Sequence, residues 1–173
     1  MVLDSTENTL YFAYGSNLNQ EDLDAWCKLK NCSRIDLETK KPIRAILNGY
    51  ELAFDYCSSS RNCGVADVKV APGKHVEGVL FEMTKGDMDS IKRKEGVAAH
   101  VYRPENITVR LPDGQEKDVK TYVVNVKEER CIPPSKRYLE IIISGAKNFG
   151  LSPEWIQTLN EIVPSDNGCQ KRT

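Results

Sequence analysis

The segment Tyr14-Gly15-Ser16-Asn17-Leu18 places a glycine, a hydroxyl and an amide directly after a short aromatic run. Between a strand and a helix, successive backbone N–H groups can converge on an anion, so this loop could hold a carboxylate. Glycine permits close approach of the backbone, and Ser16 and Asn17 add side-chain hydrogen-bonding groups. An ordinary strand-to-helix turn capped by Asn19 is the competing reading of the same residues.

A second center is Glu95. Met88, Ile91 and Glu95 fall at i, i+3 and i+7, so a carboxylate occupies the third position of an inward helical stripe. Gly96 then stops the helix, leaving Glu95 in its last turn, where the negative end of the macrodipole disfavors an anion. Burial and the dipole both raise a carboxyl pKa, which suits a base working near neutral pH. The alternative is that Glu95 turns outward at a fraying helix end and pairs with Lys92 or a neighbor. Lys92, Arg93 and Lys94 read as a solvated, dipole-complementing surface. One of them leaning toward Glu95 would lower its pKa and weaken the base.

Tyr102, Tyr122 and Tyr138 could line a pocket with their hydroxyls, although each also sits in an apolar pattern that a core would explain. His75 and His100 have no carboxylate and nucleophile arranged around them. No G-x-S-x-G, P-loop or H-E-x-x-H sequence is present, which removes the commonest hydrolase, nucleotide-binding and metalloprotease readings.

These residues need elements to position them. Leu10 to Tyr14 reads as a buried strand ending at the turn-forming Gly15-Ser16-Asn17. A helix capped by Asn19 follows, with Leu23, Trp26, Cys27 and Lys30 on one face. Alternation over 43–47, 50–56, 65–70 and 76–83 predicts antiparallel strands divided at Asn48-Gly49, 58–62 and Pro72-Gly73. Thr84 and Asp87 form a box-like cap for a helix over 85–95. Strands near 102–111 and 119–126 flank Pro112-Asp113-Gly114 as a hairpin. After Pro133-Pro134 an amphipathic helix runs to about Gly150, and Ser152-Pro153 opens another. The predicted class is α+β, with a mainly antiparallel sheet that curls into a small barrel with flanking helices. The predicted organization is a flexible leader over 1–9, a single catalytic domain over 10–164 and a flexible tail over 165–173, disordered from just after Ile162.

The chain has 173 residues, 24 Lys plus Arg against 25 Asp plus Glu, and 40% hydrophobic residues. One core suffices at this length, and the near-balanced charge argues against nucleic acid or a membrane surface as the main partner. The polar, acidic start lacks the features of a secretory signal, so a cytoplasmic protein is expected. In that reducing setting the six cysteines are expected to be free thiols, and their spacing does not suit a zinc site.

The octapeptide Tyr11-Phe12-Ala13-Tyr14-Gly15-Ser16-Asn17-Leu18, then Gly78-Val79-Leu80-Phe81, Glu95-Gly96-Val97, Pro133 to Tyr138 and Gly145-Ala146-Lys147, resembles the γ-glutamylcyclotransferase family. The resemblance runs in order from Leu10 to Pro164. It implies a compact α+β fold and a reaction without cofactor or metal that turns γ-glutamyl amino acids into 5-oxoproline and a free amino acid. The base of such enzymes maps onto Glu95 and their substrate loop onto Tyr11 to Ser16, with Asn17 and Leu18 completing the segment. Their pocket tyrosines match Tyr122 and Tyr138, and Tyr102 less closely. The basic run Lys92 to Lys94 departs from the family pattern. A γ-glutamylamine, a γ-glutamyl-protected intermediate and glutathione are alternative substrates, although Asn17 speaks against the glutathione-specific relatives with their shorter Y-G-S-L loop. A non-catalytic γ-glutamyl-binding module is the rival from another class, and a homodimer is left open.

Overall fold

Leu10 to Ala13 alternate poorly but are apolar on both faces, which suits a strand enclosed on both sides. In the computed structural model, which describes residues 7–169, they form most of β1 (Thr9–Ala13), buried from Tyr11 to Ala13. Residues 1–6 of the predicted leader and 170–173 of the predicted tail lie outside the described residues.

The other strands are β2 (Ile43–Ser58), β3 (Cys63–Met83), β4 (Tyr102–Arg110) and β5 (Glu116–Val124). They close into a barrel in the order β1-β3-β2-β4-β5. Every pairing is antiparallel except that of β1 with β5, so the closed sheet is mixed, with the antiparallel majority the sequence predicts. Among the described residues the α-helices are α1 (Gln20–Lys30), α2 (Lys85–Lys94), α3 (Lys136–Asn148) and α4 (Pro153–Asn160). The predicted caps are in place: Asn19 accepts from the Asp22 amide, Thr84 and Asp87 exchange reciprocal bonds, and Ser152 accepts from the Trp155 amide.

Between Ile43 and Met83 the structure differs from the four short strands predicted. Two long strands run through, and the register jumps from Asn48↔His75 to Tyr50↔Val70. The turn residues at Asn48-Gly49 and Pro72-Gly73 lie across from each other and bend a continuous hairpin instead of ending it. Only 58–62 acts as the reversal.

The segment after Pro164 is tied back as far as Cys169. The Ser165 amide donates to the Pro134 carbonyl at 2.9 Å, and Asp166 Oδ1 accepts from the Lys136 amide at 3.0 Å, at the start of α3. Cys57 and Cys169 are joined in a disulfide, against the expectation of free thiols for all six, while Cys27, Cys32, Cys63 and Cys131 are free. The pair is separated by 112 residues, so no local spacing announces it. Among the described residues no helix is long and apolar enough to cross a membrane.

Candidate active site

Three elements meet where the chemistry was expected. β1 carries Tyr11 into the barrel and delivers Tyr14 at its end; Ser16–Leu18 then form a 3-10 turn, whose first N–H groups have no partner within the turn itself. α3 lies directly on this turn because Gly145 has no side chain: a Cβ there would stand 2.6 Å from the Leu18 carbonyl. From the other side α2 ends at Lys94, Glu95 is its C-cap, and Gly96 at φ 63 turns the chain away in the left-handed region. Glu95 thus stands at the negative end of a helix, facing the turn.

Between them is a narrow cleft whose interior leaves about 30 Å³ free. Tyr14, Gly15, Ser16 and Asn17 form one wall and Glu95 another, with Tyr11, Tyr102, Tyr122 and Tyr138 around them. Phe12, Ala13 and Leu18 do not reach it; they are buried in the core, where they anchor the loop. The reason is strand alternation and turn geometry: the aromatic run must send part of its side chains into the packed interior to hold the rest at the cleft. His75 packs near Trp155 and His100 is exposed, both apart from the cleft.

Asn17 organizes the center. Only 5% exposed, it donates from Nδ2 to Glu95 Oε1 at 2.6 Å and to the Tyr11 hydroxyl at 2.8 Å. Glu95 therefore faces inward, and the outward pairing with Lys92 is not formed. Sequence reasoning missed Ala66, whose backbone locks two tyrosines: its N–H donates to the Tyr138 hydroxyl at 3.1 Å and its carbonyl accepts from the Tyr102 hydroxyl at 2.6 Å. β1 pairs with β3 only at 79–83, which leaves the strand edge at Ala66 for these phenols. Tyr14 donates to the Tyr122 carbonyl at 2.6 Å.

Burial raises the Glu95 carboxyl above its usual range, against the lowering effects of Lys94, the Asn17 N–H and Arg61. Burial also pushes Tyr122 and Tyr138 up to about 12 and Tyr11, Tyr14 and Tyr102 well above the ordinary phenol value. All five phenols are neutral donors near pH 7.

The basic run before Glu95 divides. Lys92 and Arg93 are exposed, with the Arg93 guanidinium 5.9 Å from the center of the Trp26 ring. Lys94 turns inward: its side chain is 7% exposed and its ammonium meets Asn17 Oδ1 at 2.8 Å and Asp22 Oδ2 at 3.3 Å. This corrects the reading of all three as solvated surface. α1 supplies the attraction, because Asp22 in its first turn also holds Arg61 from the 58–62 reversal through two bonds of 3.0 and 2.8 Å. Burial alone would raise the Asp22 carboxyl, yet Arg61 and Lys94 together hold it low. Arg61 also lies 4.9 Å over the Tyr138 ring.

A wider outer cleft shares Ser16, Glu95, Tyr102 and Tyr138 with the inner one and continues toward Trp26, Tyr56 and Val101. Among the described residues no three His, Cys, Asp or Glu side chains gather as a metal-binding group. The groups present supply a raised carboxyl, neutral donors and loop amides: the means to move a proton and hold an anion.

A sequence model described as the AIG2-like family matches residues 75–159. The gamma-glutamylcyclotransferase of Bos taurus is 34% identical over 164 residues, spanning 92% of this chain and 81% of that protein. Its Homo sapiens counterpart is 32% identical with the same coverage. A solved gamma-glutamyl cyclotransferase structure superposes with a TM-score of 0.78 at 29% identity, over 92% of this chain and 90% of that one.

Proposed function

The chain belongs to the γ-glutamylcyclotransferase family and is an enzyme of that type, and we propose that Glu95 is its general base and acid. The observation that carries this reading is the Asn17 N–H on Glu95 Oε1, which holds the carboxylate toward the cleft shared by the loop and the phenols.

A γ-glutamyl substrate carries its α-nitrogen as an ammonium, without the lone pair needed to attack its own γ-carbonyl. Glu95, with a carboxyl raised by burial, takes an ammonium proton. The freed amine closes on the γ-carbonyl carbon, the amide C–N bond breaks, and 5-oxoproline forms. Two of the three ammonium protons end on the departing nitrogen and one remains on the lactam; Glu95 relays the transfer. Such acid–base work contributes typically about 10² to 10⁴ in rate.

The loop supplies the rest. Amides at Gly15 to Asn17, with the hydroxyls of Tyr11, Tyr122 and Tyr138, grip the α-carboxylate or the oxyanion and keep the substrate folded, while Tyr14 and Tyr102 spend their protons on backbone carbonyls; holding reacting groups in contact can be worth effective molarities of roughly 10⁵ M or more. The outer cleft, continuous with Glu95, takes the leaving portion. The substrate is a γ-glutamyl amino acid and the protein acts in the cytoplasm.

The test is to incubate the pure protein with γ-glutamyl-alanine and with a γ-glutamylamine and follow ring-closed product. Release of 5-oxoproline and alanine is the expected result. Turnover of the amine alone would move the substrate assignment, and calorimetric binding without product would replace the catalytic reading by that of a binding module.

A further inference from the structure

We infer that Lys94 is a positioning residue of this site: its ammonium holds the Asn17 amide in the one orientation that presents an N–H to Glu95. The inference rests on Glu95 being the base and adds the residue that sets it.

An amide has a donor end and an acceptor end, and nothing internal to Asn17 decides which faces Glu95. Lys94 decides it. An ammonium only donates, so the group it meets at 2.8 Å must be Oδ1, and Nδ2 is forced toward Glu95 Oε1 and the Tyr11 hydroxyl. A reversed amide would set an oxygen against the carboxylate and two N–H groups against a cation. Lys94 is itself fixed by Asp22 at 3.3 Å and Ser16 Oγ at 3.4 Å, while Asp22 is anchored by the two Arg61 bonds. The chain Arg61–Asp22–Lys94–Asn17–Glu95 links the 58–62 reversal, α1, α2 and the substrate loop to one carboxylate.

The charged and titratable groups facing Glu95 are Lys94 from α2, Asp22 from α1, Arg61 from the reversal, Tyr11 and Tyr14 at β1, Tyr102 on β4, Tyr122 on β5 and Tyr138 on α3. The phenols stay neutral below pH 9, so the charges acting on Glu95 there are Lys94, Arg61 and Asp22. Lys94 favors the ionized carboxylate, both directly and by fixing the Asn17 donor. Glu95 works ionized, so activity rises with pH through its titration, and loss of the lysine charge moves that limb to higher pH.

The experiment records kcat/KM against pH for γ-glutamyl-alanine with wild type, Lys94→Met, Lys94→Gln, Lys94→Arg and Glu95→Gln, with thermal unfolding to confirm folding. Lys94→Met and Lys94→Gln are expected to move the acidic limb upward and lower the plateau by roughly ten- to hundredfold, the worth of a charge-assisted hydrogen bond. Lys94→Arg is expected to bring the limb back toward wild type. If Lys94→Met does not fold, Lys94→Gln and Lys94→Arg carry the same comparison. A lowered plateau with an unmoved limb makes Lys94 a packing residue and overturns the inference. An inactive Glu95→Gln beside that result leaves the base assignment standing, whereas a fully active Glu95→Gln overturns both.

Discussion

Two acid sites, a half-buried one at Glu95 and a fully buried one at Asp67, differ in what each leaves open. On one side Glu95 accepts from Asn17 and borders a cleft. On the other, Asp67, wholly buried, accepts at Oδ1 from the Val124 amide at 2.9 Å and at Oδ2 from the Lys127 ammonium, and lies against Asp55, which is 6% exposed. Burial and the neighboring Asp67 push the Asp55 carboxyl up to about 6. Both sites contain a raised acid. At Asp67 every strong donor comes from the chain and pins the end of β5, whereas Glu95 is held by its own chain on one oxygen and set before a space a substrate can fill. A raised carboxyl is therefore a sign of burial first, and the open face makes it a reagent.

Exchanging charge for amide at both sites separates them. Glu95→Gln is expected to cut 5-oxoproline release by at least about 10² with an unchanged unfolding temperature, since the amide fills similar space and cannot take the proton. Asp67→Asn is expected to do the reverse: near-native turnover, but about 1–3 kcal/mol less stability in denaturant unfolding, because the Lys127 and Val124 donors lose a charged acceptor. A large rate loss in Asp67→Asn with intact stability would erase the distinction.

Tyr138→Phe probes the boundary. It removes the acceptor for the Ala66 amide and a phenol of the cleft, so about 1 kcal/mol of stability and about tenfold in kcat/KM are expected to fall together.

The smallest effect is on pH dependence. The Asp55 carboxyl titrates higher folded, at about 6, than its ordinary 3.8, so between those values the native state holds a proton that the unfolded chain has released. Its stabilizing contribution is complete below about pH 4 and fades as pH rises through about 6. Asp55→Asn is expected to flatten the decline of unfolding temperature across that window without altering turnover at pH 7. An unchanged slope would remove Asp55 from the account.

The parts of this contrast that were legible in the sequence are the local ones. The helix stripe ending in Glu95, the stop at Gly96 and the caps at Asn19, Thr84 and Ser152 depend on neighbors within a few residues, and the order of motifs carried the family and the barrel. The inward turn of Lys94 was not legible, because three consecutive cations look alike until Asp22 of another helix selects one. Ala66 contributes only backbone, and its role follows from where β1 stops pairing with β3. The Asp55–Asp67 pair and the Cys57–Cys169 disulfide come from contacts between distant segments, and the turn chemistry at Gly49 and Gly73 reads the same in a bulge as in a reversal.

The most direct measurement is kcat/KM of the wild-type enzyme for γ-glutamyl-alanine across pH 4 to 8, with Asp55→Asn alongside. The expected result is a rise through a limb displaced above the ordinary glutamate range and identical in the two proteins, because the ionizing base is Glu95. A rate independent of pH over this interval, or a limb that moves when Asp55 is replaced, would contradict it.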